Sequence, residues 1–262
     1  MAANQPSEVT WKGMDLKESS QMTLAQEMTH WWIRTRFLYI ERALRDLPPN
    51  SRVLEVGCGT GQNLVYLRKE SPLSKQIDSL VGFEPALPHS PPQSSELAPT
   101  DRLRTTLPEL TSSPHFDALI ATDVLEHLDD DIREMRHWMA LLRPGARVLI
   151  TVPAFEFLWS HHDELLGHRR RYTLTSLRHF ARLSGLKEID IHYAFGPLFP
   201  VVFLVRVVVG KLLKGKRSTT TDLKLPSPWI NRLLSWICER EFKRGGSRFW
   251  GTSVVGTFEK PC

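Results

Sequence analysis

Val53-Leu54-Glu55-Val56-Gly57-Cys58-Gly59-Thr60-Gly61 is the stretch that decides the fold. A short apolar run, Arg52 to Val56, leads directly into three glycines spaced two apart. The run has the length of a buried strand, and the glycines permit a tight turn and a close approach of ligand to backbone. The phosphate loop of an ATPase is excluded, because Gly61 is followed by Gln62-Asn63 where that loop needs Lys and Ser/Thr. The dinucleotide pattern is excluded too, because the third glycine comes two residues after the second instead of three. A second run, Leu80 to Phe83, ends at Glu84, 23 residues past Gly61. A carboxylate at that strand tip can accept both hydroxyls of a ribose. The spacing therefore reads as a nucleoside bound across the first two strands, and the loop reads as one that needs no pyrophosphate.

Working outward, apolar residues recur at helical spacing from Leu24 to Leu47 and stop before Pro48-Pro49, giving one or two helices. Asn63 to Lys69 reads as the helix after the loop. The stretch 85–100 holds five prolines and reads as a loop. Phe116 to Ala121 and Arg147 to Val152 read as buried strands. Val124 to Leu142 between them reads as a helix begun near Asp129 and stopped before Pro144-Gly145. Thr175 to Leu183 is a short helix, with Thr173 or Thr175 as cap and Gly185 as its close. Leu186 to His192 and Thr252 to Glu259 are the last strands. Strands alternating with helices give an α/β fold, a mostly parallel sheet with helices on both faces.

The chain of 262 residues is 41% hydrophobic and 24% charged, which excludes wholesale disorder and a fibrous protein. Cys58, Cys238 and Cys262 are odd in number and far apart, so they form neither a disulfide framework nor a zinc cluster. The N-terminus has no charged head followed by an apolar run, so no secretory signal is expected. The expected setting is cytoplasmic, with peripheral membrane contact as an alternative. The net charge of +5 is uneven: residues 201–262 hold 12 Lys+Arg against 4 Asp+Glu. Such a surface meets phosphate or is ordinary solvated charge.

The loop, Glu84, PheAspAlaLeuIle at 116–120 and LeuArgProGlyAlaArgValLeuIle at 142–150 resemble the class I S-adenosylmethionine-dependent methyltransferases. The resemblance implies a Rossmann-like seven-stranded sheet, the last strand antiparallel and inserted before the sixth. S-adenosyl-L-methionine is the implied cofactor. It implies that Glu55 holds the methionine amino end, that Gly57, Cys58, Gly59, Gly61 and Asn63 line the cofactor, and that Glu84 holds the ribose. Asp123 would meet the amino end or cap a helix. The chain departs from the family where an acid faces the adenine. Over Leu103 to Glu109 none stands in the expected place, which leaves backbone groups, Thr105 or Thr106.

The resemblance further implies that the segment after the fourth strand lies beneath the transferring methyl, with Glu126 and His127 as its usual acid and imidazole. His127 or His162 is the candidate base, with Glu126 shaping the floor. A polar cluster follows the fifth strand: His161, His162, Asp163, His168, Arg169, Arg170, Arg171 and Tyr172. No metal is expected, because His161 and His162 are adjacent and point apart and His168 sits beside three arginines. HisTrpTrp-x-Arg-x-Arg at 30–36 and the 160–173 segment resemble one subgroup of these enzymes, with an apolar-basic insert before the last strand. Trp31, Arg34, Asp163, His168, Arg170, Arg171 and Tyr172 are the candidate acceptor residues. The last three would orient an acidic or phosphorylated group.

The insert joins Pro197–Leu213, LysGlyLysArg at 214–217 and an apolar helix over Trp229–Ile237. It serves as a lid, a homodimer interface or a membrane contact through 197–217. The division is a flexible N-terminus (1–23), a helical cap (24–49), a cofactor core (50–195), the insert (196–248) and a last strand with tail (249–262). The expected activity is methylation of a small or lipid-like acceptor at a hydroxyl or carboxyl oxygen. N- or C-methylation of a small molecule and a non-catalytic partner protein are the alternatives. Nucleic acid is disfavoured, because no AsnProProTyr-like segment follows the fourth strand and no cysteine is placed to attack cytosine.

Overall fold

The computed structural model describes residues 23–85, 96–107, 115–209 and 225–262. The apolar spacing over 24–47 folds as two helices, α1 (Leu24–Thr29) and α2 (Trp31–Leu44). His30 divides them. Its extended backbone ends α1, and its Nδ1 accepts from Trp32 N at 3.3 Å to cap α2. Strand β1 (Ser51–Val56) runs into the glycine loop, and α3 (Gln62–Lys69) begins directly after Gly61. β2 (Ile77–Phe83) starts earlier than its apolar run. β3 (Arg102–Arg104) has no apolar run to announce it and is placed by parallel pairing with Val81 to Phe83.

β4 (Phe116–Thr122) is buried along its whole length. The helix expected over Val124–Leu142 is shorter. Leu125–His127 is a single 3-10 turn, and α4 (Asp131–Ala140) starts under an Asp130 cap. Leu142 already belongs to β5 (Leu142–Pro153). Pro144 explains this, since it cannot donate to a helix and biases the residue before it toward extended backbone. α5 (His161–Leu166) and α6 (Leu174–Ser184) follow, the latter capped by Thr173 and closed by Gly185 at φ 82°. β6 (Lys187–Ala194) leads into the insert. There α7 (Phe199–Phe203) continues as a π-turn over Leu204–Val209, and α8 (Pro228–Lys243) runs well past the predicted Ile237. β7 (Ser253–Glu259) closes the chain. The N-terminus over 1–22, expected to be flexible, most of the proline-rich loop, Pro108-Glu109 and the basic 214–217 lie outside the described residues.

The sheet order is β3-β2-β1-β4-β5-β7-β6, with β7 antiparallel to both neighbours and the other pairs parallel. One face is covered by α2, α3 and α8 through Ile33, Ile40, Leu64, Leu67 and Cys238. The other is covered by α4 and α6 through Met135, Trp138, Leu177 and Phe180. Strand order reverses between β1 and β4, so a crevice opens beyond their C-terminal ends, where ligands of such sheets sit. Among the described residues no helix is long and apolar enough to cross a membrane.

Candidate active site

The glycine loop hangs from the end of β2. Gly57 N and Cys58 N both donate to the Phe83 carbonyl, at 2.8 and 3.2 Å, and Gly61 N donates to Cys58 O at 2.8 Å. Gly57, Gly59 and Gly61 have φ of 67, 53 and 91°, where other residues are strained. A Cβ on Gly57 would also fall 2.5 Å from Val124 Cγ2, whereas one on Gly59 would meet nothing within 4 Å. The crest of the loop is therefore open. Gly59 N donates to Glu84 Oε2 at 3.3 Å, which sets that carboxylate beside the loop. Glu55 is fully buried next to the loop, and its Oε1 accepts from Asn63 Nδ2 at 2.5 Å. Its Oε2 has no hydrogen-bond partner among the described residues. Burial pushes the Glu55 carboxyl up to about 7, against the Asn63 bond and the Arg36 charge. An unsatisfied buried oxygen costs about 1–3 kcal/mol, and a cationic amino group would satisfy it. The open crest, the adjacent Glu84 and the unsatisfied Glu55 fit the expected cofactor. At the adenine end, Thr105 and Thr106 are exposed. Asp101 is spent on Arg68, Leu80 N and Ala98 N.

Asp123 begins the acceptor side, at φ 56°. Thr151 Oγ1 donates to its Oδ1 at 3.2 Å, and Arg36 Nη1 lies 3.8 Å from Oδ2. Burial raises the Asp123 carboxyl, and Arg36 and Thr151 pull it back. Arg36 reaches over from α2 and stacks on Trp32, 4.8 Å from the ring centroid. Trp32, Arg36, Asp123, Thr151 and Phe195 line a crevice between the cap and the ends of β4 and β5. Arg36, Thr151 and the buried Glu27, whose carboxyl burial pushes up to about 7, were not singled out in the sequence. Arg36 could have been found, since it sits one helical turn after Trp32 in the HisTrpTrp-x-Arg-x-Arg motif.

The structure brings Glu126, His127 and His168 together. Their ligand-capable atoms all lie within 4.8 Å of one another. The chain after α5 turns at Gly167, with φ 74°, and folds back onto the 3-10 turn: Arg169 N donates to Glu126 O at 2.7 Å, and Arg169 Nε to His127 O at 2.9 Å. The two imidazoles meet edge to face at 4.6 Å and 85°. Behind them Asp163 is fully buried. Its Oδ1 lies 2.9 Å from His168 Nδ1 and accepts from Arg171 Nε at 2.8 Å, while Ser160 N donates to Oδ2 at 2.8 Å. Burial alone would raise this carboxyl, but the His168 hydrogen bond and the Arg171 charge more than offset it and hold it well below the usual range. Burial and the neighbouring His168 push His127 down to about 3. The ring is then neutral near pH 7. His168, with Asp163 fixing its Nδ1, keeps Nε2 for a ligand.

Other expected residues are placed elsewhere. His162 is half-buried on α5 and outside the cluster. Arg171 is spent on Asp163 and the Ala154 carbonyl, Arg170 on Leu128 O, Asp129 O and Asp131, and the Tyr172 hydroxyl on Asp131 at 2.6 Å. The three residues expected to orient an anionic acceptor thus already have protein partners. The Trp31 backbone N–H donates to Asn231 Oδ1 of α8 and its ring packs edge-on against Phe195, and Arg34 is exposed. His161, His162 and His168 do not converge as a set of three among the described residues. The convergence lies instead between residues 127 and 168, and spacing cannot show that.

Residues 28–190 match a family model described as a methyltransferase domain. The chain is 27% identical over 172 residues to the trans-aconitate 2-methyltransferase of Deinococcus radiodurans, which covers 59% of this chain and 64% of that protein. It is 26% identical over 207 residues to the highly reducing polyketide synthase PKS2 of Leptosphaeria maculans, over 72% of this chain and 7% of that one. The chain thus spans less than two thirds of the length of both relatives. Among solved structures, phosphoethanolamine N-methyltransferase 2 of Haemonchus contortus with S-adenosyl-L-methionine superposes with a TM-score of 0.51 at 15% identity, covering 98% of this chain and 61% of that one. N-methyltransferase NodS of Bradyrhizobium japonicum, with S-adenosyl-L-homocysteine, gives 0.50 at 14% identity over 88% of each chain. At these identities the structural likeness is one of fold.

Proposed function

We propose that this chain, which belongs to the methyltransferase-domain family, is an S-adenosylmethionine-dependent methyltransferase that methylates a hydroxyl oxygen of a small, largely apolar acceptor. The observation that carries this reading is the convergence of Glu126, His127 and His168, with Asp163 oriented behind His168. An amine arrives neutral and needs no such device, whereas a hydroxyl must lose its proton. When bound, the cofactor supplies a methyl group on a sulfonium, open to in-line displacement. Glu84 and the backbone at Gly59 hold its ribose end, and Glu55 receives its amino group. Asp123 and Arg36 close the floor. The Glu126–His127–His168 cluster receives the acceptor hydroxyl and promotes the loss of its proton. Burial of Glu126 and His127 fixes the approach of the oxygen.

An apolar acceptor body is supported by the aromatic ladder between the end of β5 and α7. Phe155, Phe157, Phe199 and Phe203 pack at centroid distances of 4.9–6.3 Å, and Phe157 remains 53% exposed. A carboxylate oxygen is the second reading, favoured by the relative named for trans-aconitate. The test is methyl transfer from labelled cofactor to panels of phenols, aliphatic alcohols and carboxylic acids. Ester formation alone would select the second reading. Methylation of amines alone would remove both.

A further inference from the structure

We propose that Glu126, His127 and His168 form a binding site for a divalent transition-metal ion of the zinc type. Two imidazoles and one carboxylate are a donor set suited to Zn2+, Mn2+ or Fe2+, and poorly suited to Mg2+ or Ca2+, which take oxygen ligands. The three donors come from two segments that the backbone locks together through Arg169 N to Glu126 O at 2.7 Å, so the set is prebuilt. Bonds of about 2.0–2.2 Å require ligand atoms roughly 3.3–3.5 Å apart. The observed atoms lie within 4.8 Å of one another, so an ion would draw them together by about 1.5 Å at most.

The surroundings are those of a metal ligand. His168 gives its Nδ1 to Asp163 at 2.9 Å, and this orients Nε2 inward and strengthens it as a donor. Asp163 is itself pinned by Ser160 and Arg171. Arg171 and Arg206 offset the Asp163 charge, so Glu126 supplies the anion that faces the ion. Three protein ligands leave a position open, as in catalytic sites. A hydroxyl entering that position is acidified. Its proton leaves to solvent water, and its oxygen keeps the electron pair that forms the new bond to the methyl carbon as the carbon–sulfur bond breaks and that pair stays on sulfur. The ion's role rests on the proposed oxygen methylation, but its binding does not.

The test uses the full chain after treatment with a chelator. Zn2+ is titrated by calorimetry and Co2+ by visible absorption, which reports nitrogen coordination. S-adenosylhomocysteine is titrated on the same samples. The site predicts one ion per chain and a Co2+ spectrum lost in His127→Ala and His168→Ala. Asp163→Asn should weaken Co2+ binding about 10–100-fold. His161→Ala, whose ring pairs with Glu164 at 3.0 Å outside the cluster, should bind normally. Wild-type chain that binds S-adenosylhomocysteine but neither ion would overturn the metal site and leave the family reading standing. So would ion binding that survives both alanine variants with cofactor affinity intact.

Discussion

Asp163 Oδ1 lies 2.9 Å from His168 Nδ1, and the same oxygen accepts from Arg171 Nε at 2.8 Å. One fully buried carboxylate thus orients an imidazole of the proposed acceptor site and neutralises a buried guanidinium. Removing its charge leaves Arg171 uncompensated. Asp163→Asn should cost about 3–5 kcal/mol of stability, read as a lower urea midpoint. An unchanged midpoint would show that the pair has no net structural weight.

Glu55 makes cofactor binding depend on pH. Its buried carboxyl is raised to about 7, by burial first, with Asn63 and Arg36 opposing and Glu84 adding to the rise. A raised acid is protonated in the folded chain while ionised in the unfolded one. Its favourable contribution is therefore fully present below the unfolded value, about 4.3, and is lost as pH rises toward 7. The apo chain should lose stability over that window, and Glu55→Gln should flatten the loss. Pairing with a cationic amino group ionises Glu55, so binding at pH 6 should release a proton. Calorimetry in buffers of different ionisation enthalpy checks this, and equal heats in all buffers would refute it.

Glu84 sits beside Gly59 N at 3.3 Å and is placed to take ribose hydroxyls. Hydrogen bonds to a charged group contribute about 1.5–3 kcal/mol, so Glu84→Ala should weaken S-adenosylhomocysteine about 10–100-fold. Unaltered affinity by calorimetry would take Glu84 out of the cofactor site.

Gly82 is the tightest contact beneath the loop. A Cβ there would lie 2.7 Å from Cys58 Sγ, 2.7 Å from Leu64 Cδ1 and 2.8 Å from Leu103 Cδ2. Gly82→Ala should cost about 1–3 kcal/mol through overpacking and should also shift the loop. Thermal unfolding together with cofactor affinity reads both effects. A variant with wild-type values in each would mean that the loop yields freely.

The core strands and the glycine loop were legible because each is a local pattern. Val53 to Gly61 states a strand and its turn in nine residues. Glu84 was legible because one strand's length fixes its distance from the loop. β3 was not, since Arg102 and Arg104 flank a single Leu103 and only pairing with β2 defines it. The helix over 124–142 was overextended, because its apolar spacing continues into a strand that Pro144 forces open. The site was half legible. Glu126, His127, Asp163 and His168 were each marked by type, but the turn at Gly167 that lays His168 against His127 is a tertiary event. The same contact revealed that Arg171 and Tyr172 are buried partners of Asp163 and Asp131, where the sequence showed only a basic run.

The most direct test is product analysis after single turnover with cofactor labelled with carbon-13 in the methyl group, comparing wild type with His168→Ala. Carbon NMR distinguishes methyl on oxygen from methyl on nitrogen or carbon. The account predicts an oxygen-bound methyl group in the wild type and a rate about 10²–10⁴-fold lower in the variant, with S-adenosylhomocysteine affinity retained. A methyl group on nitrogen or carbon, or an undiminished rate in the variant, would contradict it.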